Sequence, residues 1–120
     1  MSRIDVKKTY KLYINGAFPR SESGRVYEVK NAKGVFIANP ALASRKDLRD
    51  SVVAARGAFG KWSGSTTYLR GQIIYRIAEM LEGRREQFEA ELKATGDKTK
   101  ITEAIDLIVW YAGWSDKLAA

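Results

Sequence analysis

The spacing of apolar positions predicts a helical segment over residues 66–94 of the 120-residue chain, either one long helix or two collinear helices. Its apolar side chains recur mostly three or four residues apart, which places them on one face of a helix. Charged side chains fill the opposite face, and Gly83 is expected to soften or bend the segment. We interpret the segment as scaffold, built on an apolar stripe of Leu69, Ile73, Ile77, Met80, Leu81, Phe88 and Leu92.

A helix over residues 44–63 is predicted before this segment. Ser44 and Asp47 have the spacing of a capping box, in which the serine hydroxyl accepts from the N3 amide and the acid reaches back. Apolar residues then follow at spacings of three and four. We expect this seam to face a core against which the 66–94 segment also packs; its members are Leu48, Val52, Ala55, Phe59 and Trp62.

The last predicted helix, residues 101–118, is apolar on two sides. Its first stripe holds Ile101, Ile105, Ile108 and Ala112, and its second holds Leu107, Tyr111, Trp114 and Leu118. A helix apolar on most sides is normally buried within a larger body. One face is expected to pack on the 66–94 segment, and the other needs a second copy or another chain. The candidate interaction surface is Ile105, Ile108, Tyr111 and Trp114.

The region from residue 10 to residue 40 predicts a small antiparallel meander of two or three strands. Asn15-Gly16 is a strong hairpin signal, because both positions of such a turn need a positive φ. Period-2 alternation over residues 25–30 indicates a further strand, and residues 35–38 form a short apolar one. The predicted fold class is α+β and mainly helical, with a flexible basic arm over residues 1–9 and a single domain over residues 10–120.

Composition excludes several kinds of chemistry. The sequence has no cysteine and no histidine, so thiol nucleophiles, thiolate or imidazole metal sites and a serine–histidine triad are excluded. It contains no glycine-rich phosphate loop. Acid pairs such as Glu86 and Glu89 lie beside arginines on a surface face and do not indicate a cleft. An Mg²⁺ or Ca²⁺ site built from oxygen ligands alone stays open, although Asp97, Glu103 and Asp106 lack the spacing of an EF-hand. We predict no catalytic, cofactor-binding or metal-ligating residue.

Charge is unevenly distributed along the chain. Residues 1–64 hold 13 Lys and Arg against 5 Asp and Glu, and residues 65–120 hold 8 against 9. The basic half makes a small domain that binds polyanions or nucleic acid the alternative function. Its cations are scattered over several elements, which disfavours nucleic acid. No leader-like apolar region or membrane-length apolar run is present, so a cytoplasmic protein without membrane contact is expected.

Four stretches of the chain, in order, resemble the N-terminal segment of the aldehyde dehydrogenase family. The first two are Lys11 to Phe18, around Ile14-Asn15-Gly16, and Asp50 to Trp62, around Ala54-Ala55 and Phe59. The others are Arg70 to Glu82 and Trp110-Tyr111-Ala112-Gly113-Trp114-Ser115-Asp116-Lys117. The sequence departs from the family at residues 39–44, which replace its usual turn, and in the strand-like stretch over residues 33–38. A divergent subgroup shares the latter feature.

The resemblance implies NAD(P)-dependent aldehyde oxidation by the parent fold. In the family, the nucleotide-binding units and the catalytic groups come after the segment that this chain matches. The resemblance therefore assigns no catalytic residue here, and it implies that the chain alone binds no cofactor. In the family, the helices of this segment cover the cofactor-binding domain. We expect the chain to be part of such an enzyme or to dock on one, or else to be a stand-alone assembly module. The expected partner is a chain carrying the rest of the fold, or another copy in a homo-oligomer.

Overall fold

The computed structural model describes Ser2, Ile4, Val6 and residues 9–117. The chain divides into two compact units, Met1–Phe59 (unit 1) and Gly60–Ala120 (unit 2). Whether they form the one domain expected from the sequence stays a prediction. The α+β class is confirmed, with elements β1 (Thr9–Tyr10), β2 (Val29–Lys30), β3 (Phe36–Pro40), α1 (Arg45–Gly64), α2 (Thr67–Gly83), α3 (Arg85–Thr95) and α4 (Ile101–Trp114).

The sheet of unit 1 is mixed, so the predicted antiparallel meander is wrong. Strand β3 lies in the centre, antiparallel to β2 and parallel to β1. The first hairpin cannot extend into a ladder, because Pro19 has no N–H to donate. Its carbonyl accepts from Leu12 N at 3.2 Å, and the pairing stops there. The chain continues to β2, and the free edge of β3 takes β1 in parallel.

The predicted Asn15-Gly16 turn is confirmed. Asn15 has φ 54° and Gly16 has φ 75°, the left-handed conformation that a two-residue hairpin turn needs. Ile14 and Ala17 exchange both backbone hydrogen bonds, at 3.0 and 3.1 Å. The turn thus forms as the local sequence dictates, although the strands beside it stay short.

The capping box at the start of α1 is also confirmed. The Asp47 amide donates to Ser44 Oγ at 3.3 Å, and the Ser44 amide donates to Asp47 Oδ2 at 2.8 Å. The expectation that the α1 seam faces a core is wrong, because Leu48 is 65% exposed and Phe59 is 68% exposed. Helical spacing decides which residues share a face, and it does not decide whether another layer covers that face.

The segment predicted over residues 66–94 is two helices, so the described chain has four helices and not three. Thr66 caps α2 by accepting from the Leu69 amide at 3.1 Å. Helix α2 ends at Gly83, and Arg84 leaves helical geometry with φ −117° and ψ 20°. The predicted soft point at Gly83 is therefore where the helix breaks.

The ends of α3 and α4 follow different signals. Helix α3 ends at Thr95 and is capped by Gly96, which has a left-handed φ of 75° and whose N–H bonds to the Leu92 and Lys93 carbonyls. Helix α4 ends at Trp114 and passes into a turn over residues 115–117, four residues earlier than predicted. Leu118 lies outside the described residues. So do residues 1, 3, 5, 7 and 8 of the predicted arm, whereas Thr9 belongs to β1.

The core of unit 2 forms where α2 packs against α4. Its buried residues are Gly71 and Ala78 on α2 and Ile101 and Ala112 on α4. The inward face of α2 is thus the stripe that contains Gly71, Ile74, Ala78 and Leu81. The stripe predicted to be buried is mostly exposed: Leu69 by 44%, Ile73 by 40%, Ile77 by 53%, Met80 by 49% and Phe88 by 44%.

Close backbone approach explains this choice of face. A Cβ placed on Gly71 would lie 2.9 Å from the Ala112 carbonyl oxygen and would collide with Ser115 Oγ. Small residues at Gly71, Ala78 and Ala112 let the two helix axes come together. The bulkier side chains of α2 are left on the outer face.

Gly71→Ala is expected to destabilise unit 2 by about 1–3 kcal/mol, because the added methyl forces α4 away from α2. Gly83→Ala is the matched control in the same helix, since a Cβ there meets nothing within 4 Å. We expect Gly83→Ala to be neutral or to stabilise by up to about 1 kcal/mol. Urea unfolding followed by circular dichroism measures both; equal stability of the two variants would contradict the close contact.

Candidate functional site

The four residues proposed from the sequence as an interaction surface lie on two sides of α4. Ile105 and Ile108 are half-buried, on the stripe that carries the buried residues Ile101 and Ala112. Tyr111 and Trp114 are 57% and 40% exposed. The structure therefore places two of the four residues within the packed stripe and leaves two on the outer face.

The outer face of α4 carries a cluster of aromatic side chains. Trp110 lies edge-on to Tyr111, with ring centroids 5.0 Å apart and planes at 85°. Its centroid is 5.5 Å from that of Trp114. These three residues form the aromatic cluster, and exposed Leu107 lies on the same face of the helix. Stacked and edge-on rings are held in fixed positions, so the cluster presents a preformed apolar surface.

A second apolar surface, which the sequence analysis had assigned to the core, lies on α2 and α3. It is a groove of about 640 Å³ lined by Ile73, Ile77, Met80, Leu81 and Phe88, with Arg76 and Arg84 also on its wall. We call it the α2–α3 groove. The sequence contains a signal for the α2–α3 groove. The small residues Gly71 and Ala78 lie on another stripe of α2, and packing on that stripe turns the stripe of Ile73 and Ile77 outward.

Unit 1 contains a buried polar clasp centred on Asp47. Ser21 Oγ donates to Asp47 Oδ2 at 2.6 Å and also lies 3.0 Å from the Leu42 carbonyl oxygen. The Glu22 amide donates to Asp47 Oδ1 at 3.3 Å, and Ser44 donates its amide and its hydroxyl to Oδ2 at 2.8 and 3.1 Å. One carboxylate thus ties the 21–24 turn to the start of α1.

These donors hold the pKa of Asp47 at about 2, below its ordinary value of 3.8. The hydrogen bond from Ser21 is the largest cause, and the backbone bond from Ser44 is the next. A carboxylate that stays ionised and accepts bonds from several fixed donors is suited to holding backbone segments together. It is not poised to exchange a proton near neutral pH.

No three metal-ligating acids come together anywhere in the described part of the chain. A dinucleotide site of the usual kind needs a parallel strand that leads into a helix N-terminus able to accept a phosphate. Here β3 leads into α1, where the Ser44 and Asp47 amides donate within the capping box and the Asp47 carboxylate places a negative charge in the first turn. That negative charge disfavours a phosphate at this helix N-terminus.

The aldehyde dehydrogenase family model matches residues 18–120, most of the sequence. The chain belongs to the aldehyde dehydrogenase family. Human mitochondrial 10-formyltetrahydrofolate dehydrogenase is 32% identical over 98% of this chain. The 2-hydroxymuconic semialdehyde dehydrogenase of Pseudomonas sp. strain CF600 is 38% identical over 83% of the chain.

Solved aldehyde dehydrogenases have the same fold over this region. An aldehyde dehydrogenase from Bacillus cereus (G224D mutant) matches 98% of the chain with TM-score 0.81 and 29% identity. A NAD-dependent benzaldehyde dehydrogenase from Corynebacterium glutamicum matches 91% of it with TM-score 0.83 and 28% identity. The chain spans only 14% and 21% of the two curated relatives, and 28% and 26% of these two solved chains.

In the part of the chain that the structure describes, no helix is both long enough and apolar enough to span a membrane.

Ser21→Ala is expected to raise the pKa of Asp47 from about 2 toward 3.8 without reaching it, because Ser44 and Glu22 still donate. The folded pKa lies below the ordinary value, so the clasp contributes its full stability above about pH 4. That contribution is lost as the pH falls through about 2. The carboxyl ¹³C resonance of Asp47, titrated by NMR, reports the shift.

The control for this titration is Ser51→Ala, which removes a hydroxyl bonded to the Leu48 carbonyl on the same helix. It should leave the Asp47 midpoint unchanged. An Asp47 midpoint that stays near 2 in Ser21→Ala would contradict the assignment of Ser21 as the main donor.

Proposed function

We propose that this chain is the part of an aldehyde dehydrogenase fold that packs on the cofactor-binding remainder, within one polypeptide or between two. It supports NAD(P)-dependent oxidation of an aldehyde and supplies no catalytic group itself. The observation that carries the proposal is the pair of exposed apolar surfaces of unit 2, the aromatic cluster and the α2–α3 groove. Membership of the family supports the proposal that the remainder of an aldehyde dehydrogenase fold covers these surfaces.

The exposed apolar side chains can contribute several kcal/mol to packing on the rest of a fold. Fully burying a large apolar side chain contributes roughly 1.5–3 kcal/mol, so covering the exposed half of four such side chains contributes roughly 3–6 kcal/mol. Between separate chains, the entropy cost of association is set against this gain. Exposed Ile77, Met80, Tyr111 and Trp110 are each about half accessible in this chain. Grouped apolar patches on a soluble protein mark interaction surfaces.

The similar proteins guide the chemistry of the proposal. Their names cover a formyl-tetrahydrofolate, a semialdehyde and benzaldehyde, and one solved relative from Mycobacterium tuberculosis is complexed with NAD⁺. All are named dehydrogenases, and NAD is named for the benzaldehyde enzyme and for the Mycobacterium tuberculosis enzyme. We infer oxidation of an aldehyde carbonyl with reduction of a nicotinamide cofactor for the fold to which this chain contributes. A cytoplasmic location is part of the proposal, in line with the cytosolic relative from Xenopus tropicalis, which is 30% identical.

When the remainder of the fold is absent, the same surfaces are available to a second copy of the chain. A homo-oligomer is therefore the second form of this proposal. Binding of nucleic acid is not part of it.

Complementation tests the proposal. The Corynebacterium glutamicum benzaldehyde dehydrogenase, produced without the segment that matches this chain, is mixed with the chain, benzaldehyde and NAD. We expect a complex by analytical sedimentation and NADH formation at 340 nm that neither chain gives alone. The full-length enzyme, whose own segment occupies the site, should not bind the chain.

Variants of exposed residues sharpen the test. Ile77→Lys places a charge in the α2–α3 groove at a side chain that is 53% exposed, so the chain alone should keep its fold. It should weaken the complex at least about tenfold, since a lysine would be buried without a partner. Gln87→Lys, on an exposed position of α3, is the matched control and should have no effect. Absence of a complex with the unaltered chain would refute the proposal.

A further inference from the structure

Unit 1 contains a basic pocket that lies outside the surfaces described above. Its volume is about 370 Å³, and its charged lining consists of Lys11, Arg20 and Arg25, with no acidic side chain. Thr9 and Ser21 add hydroxyl groups to the wall. Pockets for small molecules begin at about this volume.

Backbone hydrogen bonds hold the pocket walls together. The Ala41 amide donates to the Tyr10 carbonyl at 2.9 Å, and the Leu42 amide donates to the Arg25 carbonyl at 2.8 Å. Val26 also pairs with Ala41 across a β-bridge. The segments that carry Lys11 and Arg25 are therefore fixed to the same two residues after β3.

The Asp47 clasp fixes the third wall. It holds Ser21, the neighbour of Arg20, at 2.6 Å, and the Gly24 amide closes the turn on the Ser21 carbonyl at 3.1 Å. Gly24 takes a φ of 65°, a left-handed conformation that favours glycine. The site is thus built on constrained backbone and not on a free loop.

The three cations have no carboxylate partner. Within the described part of the chain, none of the acidic oxygens lies within 4.0 Å of the charged atoms of Lys11, Arg20 or Arg25. Arg20 also borders a neighbouring depression that contains Glu22 and Asp47, yet it forms no ion pair with them. Three cationic side chains that line one pocket without an acid favour a bound anion.

We propose that this pocket binds a small molecule that carries a diphosphate or two closely spaced phosphates. Arginine forks match phosphate oxygens in bidentate pairs, and the lysine adds a point charge. Elsewhere in unit 1, Lys46 pairs with Asp50 at 2.9 Å and Lys30 pairs with Glu28 at 3.4 Å. Lys11, Arg20 and Arg25 line one small pocket, which favours a compact ligand over a nucleic acid strand.

This inference does not rest on the proposed docking function, because the pocket belongs to unit 1 and the docking surfaces belong to unit 2. A failed complementation experiment would therefore not contradict the anion site, and a failed pyrophosphate titration would not contradict the docking function.

The experiment uses the full chain at low ionic strength with inorganic pyrophosphate as the probe. We expect saturable binding of one pyrophosphate per chain by calorimetry. In ¹H–¹⁵N spectra, the amides of Gly24, Arg25 and Ala41 should shift, whereas those of α4 should not. Arg20→Gln and Arg25→Gln should each weaken binding about tenfold or more, as loss of a charge-assisted hydrogen bond does.

Arg56→Gln is the matched control, because it removes the same charge from unit 1 at a residue outside the pocket. It should change the affinity less than about twofold. No saturation at millimolar pyrophosphate, or an equal effect of Arg56→Gln and Arg20→Gln, would overturn the proposal. The proposal would also be overturned, in favour of nucleic acid, if a single-stranded oligonucleotide bound more tightly than pyrophosphate through the same arginines. The logarithm of its affinity would then fall with the logarithm of the salt concentration with a slope of several units.

Discussion

The close packing of α2 against α4 decides which side chains of unit 2 remain available. Two helices approach closely only where both present small residues, and here Gly71 faces the Ala112 carbonyl at a distance that excludes a methyl group. Ala78 and Ala112 continue this narrow contact. Because these small residues set the close contact, Ile73, Ile77 and Met80 of α2 and the aromatic residues of α4 are turned outward, whereas Ile74 stays on the inward stripe. The two exposed apolar surfaces of unit 2 are thus a consequence of the core.

Unit 1 depends on a different interaction. Its sheet is short and mixed, and its only buried apolar residue among those described is Ala38. The polar clasp compensates locally, since the Asp47 carboxylate gathers donors from the 21–24 turn and from the start of α1. A fully satisfied buried network of this kind fixes geometry even where apolar burial is small. That geometry in turn positions the basic pocket.

Local features could be predicted from the sequence because their causes are local. The Ser44–Asp47 box, the Asn15-Gly16 turn and the Gly96 cap all depend on residues within one turn of one another. The inward face of α2 could not be chosen in this way, because Ile73–Ile77 and Gly71–Ala78 both fit a helical period and only the approach of α4 selects between them. The parallel pairing of β1 likewise depends on which edge of β3 stays free.

The same distinction between local causes and long-range contacts applies to the candidate sites. An uncovered second face of α4 follows from its composition, and Tyr111 and Trp114 lie on it. The α2–α3 groove was hidden by the wrong choice of inward face. The basic pocket was hidden because Lys11, Arg20 and Arg25 come from separate segments. Backbone hydrogen bonds of Ala41 and Leu42 hold the segments of Lys11 and Arg25, and the Asp47 clasp holds the segment of Arg20.

The central claim is that the remainder of an aldehyde dehydrogenase fold covers the apolar surfaces of this chain. It is tested most directly by ¹⁹F NMR of the chain labelled with 5-fluorotryptophan, alone and with the truncated Corynebacterium glutamicum enzyme. Trp110 and Trp114 are 56% and 40% exposed in the chain alone. Their resonances should shift and lose access to a soluble paramagnetic agent in the complex. Unchanged shifts and unchanged access for both would contradict the account.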